Sequence, residues 1–213
     1  MRDTLRRPQG CVEGFVSPTL MIMLALASMA SLLAMRNLWV NEHMLNAEAD
    51  QLRTLHKAHA VLPLALADIT GTSTHLRHTA DLDIPNDVLF PTTLAQYNTL
   101  RQHLAPDLCR AGICVPNALN TNTSKASNWK TQTATALAVT AANTPYGDNT
   151  AWYWVEVFPQ TNSSDDPASF IYRITVLATG VMPGSTTVLQ AIWQRTTPTS
   201  TTGQWHSWHT LHD

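Results

Sequence analysis

Between Phe15 and Met35 the chain reads FVSPTLMIMLALASMASLLAM, with no charged side chain and only Ser and Thr as polar interruptions. At about 1.5 Å rise per residue such a helix is about 30 Å long, the thickness of a bilayer's hydrocarbon core. The segment is therefore expected to span a membrane. Arg2, Arg6 and Arg7 precede it, while Arg36 is followed by mixed charge. That asymmetry predicts a cytoplasmic N-terminus and an exported remainder. A secretory signal peptide would be shorter and followed by a small-residue cleavage site. Here the span instead passes into a helical pattern. Leu45, Leu52, Leu55, Leu62, Leu66 and Ile69 recur at intervals of three, four or seven, and Glu42, Asn46, Asp50, Arg53 and Lys57 take other faces. One long helix over residues 15–67 is expected, with the span at 15–35. Pro18 is tolerated in its first turn, and Pro63 is expected to kink or end it.

The rest of the composition narrows the function. With 13 basic and 15 acidic side chains in 213 residues there is no positive excess to neutralise a phosphate backbone, so nucleic acid is not a primary partner. With 8 Gly and 12 Pro among abundant apolar residues, collagen-like and disordered classes fail. The 3 cysteines are too few for a disulfide scaffold and lack the spacing of a structural zinc site.

The leader RRPQGCVEG, followed by Phe15, resembles the basic leader of type IV pilins, which prepilin peptidase cuts after a glycine. The resemblance implies cleavage between Gly14 and Phe15, with Phe15 as the N-methylated mature terminus. Gly10 competes, but a cut there would leave Glu13 at the third mature position. Arg36 and Glu42-His43-Met44-Leu45-Asn46 look like the R…ERMxxN stretch of one branch, the PilX-type minor pilins, with His43 in place of the usual Arg. Cys109-Arg-Ala-Gly-Ile-Cys114 resembles their C-x2-G-x-C loop. Tyr172-Arg173-Ile174-Thr175 with Gly180, then Val188-Leu189-Gln190, are similar to their C-terminal strands. Removal of Cys11 with the leader would leave Cys109 and Cys114 as an even pair in an oxidising compartment, where a disulfide is expected and two buried thiols are the alternative.

Three strands are expected near the C-terminus: Ala151 to Phe158, Phe170 to Ala178 and Thr186 to Trp193. In the first, Tyr153, Val155 and Val157 share one face and Trp152, Trp154 and Glu156 the other. Turn residues between the strands make them antiparallel neighbours. A short helix is expected from Thr92 to Leu104, whereas residues 117–142 do not decide between helix and loop. A long helix must bury its stripe on the only sizeable sheet, so the fold class is α+β and pilin-like. The expected divisions are a leader at 1–14, the helix at 15–67, a globular head at 68–194 and a polar tail at 195–213. TTPTSTTGQ opens that tail and cannot build a core.

His206, His209 and His212 would cluster on a helix and suit a metal, but no carboxylate except Asp213 is near to complete a site. His75 and His78 form a weaker pair. Asp81, Asp83, Asn86 and Asp87 lack the calcium-loop spacing. Asp165 and Asp166 read as turn residues beside Pro167. No metal or cofactor is expected. G-x-S-x-G, phosphate-binding Gly loops and H-E-x-x-H are absent, so an enzyme is not expected.

The fifth mature position is Thr19, where most pilins carry Glu to compensate a terminal ammonium among packed helices. The resemblance, with this departure, implies a minor pilin that primes assembly at the pilus tip. Implied partners are other minor pilins, the major pilin, prepilin peptidase, the inner-membrane assembly platform, and the bilayer through 15–35. The implied location is the bacterial inner membrane, head periplasmic, and then the cell-surface pilus. The alternatives are a minor pseudopilin of a type II secretion system, an adhesive module using Trp152, Trp154, Trp205 and Trp208, and a signal-anchored enzyme.

Overall fold

The computed structural model describes residues 16–72, 84, 86–105, 107–119, 129–139, 151–160, 169–197 and 200–211. The chain divides into two compact units, Met1–Asn46 and Ala47–Asp213. Helix α1 (Val16–Ile69) contributes to both.

In the first unit α1 has no charged side chain as far as Met35 and then carries Arg36, Glu42 and His43. Ser28 Oγ donates to the Ala25 carbonyl of its own helix at 2.8 Å. Trp39 and His43, one turn apart, meet edge-on with ring centres 4.3 Å apart.

In the second unit α1 becomes amphipathic. Ala58, Val61, Leu62, Ala65 and Ile69 are buried, while Arg53, His56 and His59 stay exposed. Pro63 neither ends nor replaces the helix, which continues to Ile69. Pro63 and His59 both lie on the exposed side, so the carbonyl that loses its amide partner belongs to a residue open to water.

Beyond α1 come α2 (Asn86–Leu89) and α3 (Leu94–Leu104). Thr93 caps α3: its hydroxyl accepts from the Gln96 amide, and Gln96 returns the bond to the Thr93 backbone. Tyr97, Leu100 and Leu104 turn inward from this helix.

The sheet contains β1 (Cys109–Arg110), β2 (Ile113–Cys114), β3 (Leu137–Val139), β4 (Ala151–Gln160), β5 (Ser169–Thr179), β6 (Thr186–Arg195) and β7 (Gly203–Leu211). Its order is β1-β2-β4-β5-β6-β7, with β3 also paired to β4. The meander β4-β5-β6-β7 is antiparallel, and only β2 runs parallel to its neighbour β4. The three long expected strands are present, each slightly longer than the periodicity suggested.

One sheet face carries Tyr153, Val155, Tyr172, Ile174, Leu189 and Trp193, packed with the buried stripe of α1 and with α3 in a single core. On the other face Trp154 and Glu156 are also fully buried. A second, smaller core covers it, built from Trp129, Trp154, Leu119, Leu177, Val188 and the two head cysteines. Trp129 comes from the stretch the sequence left undecided, which holds a short helical turn at 129–130, a 3-10 turn at Thr133–Thr135 and then β3.

The C-terminal segment differs most from its sequence reading. Residues expected to form a polar tail outside the sheet include β7, which pairs with β6 from Arg195↔Gly203 to Val188↔Leu211 across a bulge at Ile192/Trp193. Strand formation here rests on cross-strand hydrogen bonds and on Trp205 lying opposite Trp193, neither of which a local polar composition reveals.

Candidate assembly surfaces

Three surfaces emerge: the apolar part of α1, the disulfide hairpin, and the junction of α1 with the sheet in the head.

The side chains of Leu20, Met21, Ile22, Leu24, Leu26 and Leu33 are each more than half exposed. Among the described residues α1 is the helix long and apolar enough to cross a membrane. So large an apolar surface must be covered by lipid or by other helices. Thr19 lies near the start of α1, on its exposed surface. Gly14 and Phe15 lie outside the described residues.

Cys109 and Cys114 face each other across the β1–β2 hairpin and are joined by a disulfide, with Cα atoms 4.1 Å apart. The turn between them needs positive φ at both central residues, Ala111 (46°) and Gly112 (76°). A side chain at Gly112 would also strike the Leu137 amide and the Tyr153 carbonyl. Its amide donates to the Thr135 carbonyl and its carbonyl accepts from the Val155 amide, both at 2.7 Å. The glycine of the C-x2-G-x-C pattern is thus where the hairpin is fastened to β4 and to the strand approach before β3.

The head part of α1 is tied to the sheet by buried polar groups. Asp50 accepts from the Val181 and Met182 amides at 3.2 and 2.9 Å, in the turn between β5 and β6. The Met182 amide, the Ser185 hydroxyl, the Val181 amide and the nearby Arg53 hold its carboxyl below the usual 3.8, outweighing an opposing effect of burial. Lys57 Nζ donates to the Thr179 carbonyl at 3.2 Å. Gly180 sits so close to Asp50, Thr54 and Ser185 that any side chain there would collide with them. At the far end, Tyr153 donates to Asp68 at 2.8 Å. Arg195 donates to the Ile69 carbonyl, one of those a helix end leaves without an intrahelical partner. The Arg195 guanidinium also lies over Tyr172, whose hydroxyl burial pushes up to about 12.

Sequence reasoning placed Asp50 and Lys57 on the polar side of the helix and overlooked this clasp. No local signal marks Asp50, because its partner turn lies more than a hundred residues away. The helix on which the C-terminal histidines would have clustered is not formed: His206 and His209 stand on β7, and His206 Nε2 pairs with Gln194 Oε1 at 2.8 Å. His212, His75, His78, Asp81, Asp83, Asp165 and Asp166 lie outside the described residues. Asn86 and Asp87 fall in α2. Among the described residues no group of three or more His, Cys, Asp or Glu side chains is placed to hold a metal.

A long N-terminal helix, apolar in its first part, and a mainly antiparallel C-terminal sheet make an α+β arrangement. Residues 110–195 match the family model for the type IV pilus assembly protein PilX C-term, which covers β2 to β6 and supports a PilX-type pilin. Over these residues the chain is similar to a type IV pilus assembly protein. No curated protein and no solved structure matches it. The apolar helix fits membrane anchoring and a place in a pilus.

Proposed function

We propose that this chain is a minor pilin that takes part in priming pilus assembly and resides at the pilus tip. Prepilin peptidase cuts after Gly14, and Phe15 becomes the N-methylated terminus. The mature helix inserts through residues 15–35 and packs with the helices of other minor pilins and of the major pilin. The head stays periplasmic until the assembly platform extrudes the filament. No substrate is turned over.

The observation that carries this reading is the match over 110–195 behind a helix whose N-terminal part exposes apolar residues on every side. Thr19 supports the tip position. A hydroxyl does not compensate an ammonium buried among packed helices as a carboxylate does. A subunit with Thr there suits a place where no neighbouring amine needs a partner.

Mass spectrometry of the protein from its native host, with and without a functional prepilin peptidase, tests the class. A peptide beginning at methylated Phe15, lost in the peptidase mutant, is expected. An intact leader would sink the reading. Labelled protein found evenly along purified pili, with Thr19→Glu leaving piliation unchanged, would remove the tip assignment alone. The type II pseudopilin alternative shares leader and helix and is distinguished by whether loss of the protein abolishes pili or secretion.

A further inference from the structure

The two edges of the sheet are built differently. On one side the strands beside β4 are only two or three residues long, and a disulfide closes the β1–β2 hairpin. Short strands are one of the ways proteins keep an edge from pairing with another chain. On the other side β7 is 9 residues long and reads GQWHSWHTL, without Lys, Arg, Asp, Glu or Pro. Among the described residues no strand pairs with its outer side.

The bulge opposite Ile192/Trp193 brings Trp205 and Trp208 to the same face of β7, opposite Trp193 and Ala191 of the main core. That is the face covered by α1, but the sheet ends before the apolar stripe of the helix does. Leu52 remains 57% exposed and Trp208 64% exposed. Leu52 and Leu55 line an open pocket of about 350 Å³ that reaches Thr186, Thr187 and Thr210. Leu62, Pro63 and Leu66 line a second, of about 280 Å³, against Trp205 and Trp208. Both lie between the helix and the outermost strands, so the sheet stops about one strand short of covering the helix.

We propose that the outer edge of β7, with the apolar stripe of α1 beside it, is a docking site for an extended segment of another polypeptide, apolar at alternate positions, which adds to the sheet as a further strand. The outer side of β7, along which no described strand lies, selects the extended form, because an edge strand offers a row of amides and carbonyls only to a backbone laid alongside it. Side chains of such a strand point alternately to the two faces of the sheet. Those on the helix side would enter the two pockets. Of the lining residues only Glu48 and His59 are ionisable, so the inward side chains of the partner are apolar, not charged.

The test uses the full chain in detergent micelles and a synthetic peptide of alternating Val and Thr with Lys at its ends. Amide exchange along Gly203–Leu211 should slow by about tenfold or more when peptide is added. Trp208→Lys should abolish this slowing without lowering the melting temperature, since the indole is already exposed. The same peptide with alternate amides N-methylated should not bind, because it cannot pair with the edge. Equal effects of the methylated peptide, or no change in exchange, would overturn strand addition. Protection without peptide would also overturn it: at every protein concentration it would mean that the chain's own residues cover the edge, and if it grew with concentration the occupant would be a second copy.

Discussion

Asp50 shows how one side chain can fix a junction. Its carboxylate is buried on α1 and satisfies two amides of the β5–β6 turn, and the absent side chain of Gly180 leaves the room for it. Because the folded carboxyl titrates below 3.8, the value near which the unfolded chain titrates, its contribution is whole above about pH 4 and disappears as pH falls through the lowered value. Asp50→Asn should cost about 1–3 kcal/mol at neutral pH. It should also flatten the acid limb of a stability-against-pH curve followed by urea unfolding. The pair Glu156–Arg173 makes the complementary case. Glu156 is fully buried and receives Arg173 Nε at 2.6 Å and an Nη at 2.7 Å, across directly opposed residues of β4 and β5. Arg173→Met would strand a buried carboxylate and should cost about 3–5 kcal/mol. The double variant with Glu156→Gln should recover part of that loss in denaturant midpoint.

Among the elements, the disulfide hairpin and β7 depend most on neighbours. The hairpin's two-residue strands are too short to stand alone, and they are held by the bond between Cys109 and Cys114 and by the Trp129–Trp154 contact in the second core. Cys109→Ser with Cys114→Ser should cost about 2 kcal/mol from the lost cross-link. Loss of native tryptophan fluorescence should report the loosening of that core. Deleting residues 196–213 removes a whole strand and uncovers β6. A fall in melting temperature of roughly 10 °C or more is expected, since each lost main-chain bond and the cover on Trp193 contribute. A truncation therefore does not separate adhesion from folding, whereas Trp208→Lys does. The strand was hard to see because its residues are mostly exposed even when paired, so its alternation carries no inside-outside signal.

At the scale of the whole molecule, much of the architecture was readable along the chain. The charge-free run, the leucine spacing after it and the alternation in Ala151 to Phe158 are local periodicities, and each produced its element within a few residues of the expected bounds. So was the chain order of the long helix, the short helix and the three long strands. What the sequence by itself determined was that the long helix, the short helix after Thr92 and the three long strands form, and which face of each is apolar, because those follow from spacing of neighbouring residues. Only the tertiary structure decided that the second face of the sheet is also covered, that a polar C-terminal segment joins it, and that Asp50 and Arg195 fasten the helix at its two ends in the head. Those outcomes rest on contacts between residues far apart in sequence, where a side chain's fate depends on what else the fold brings against it.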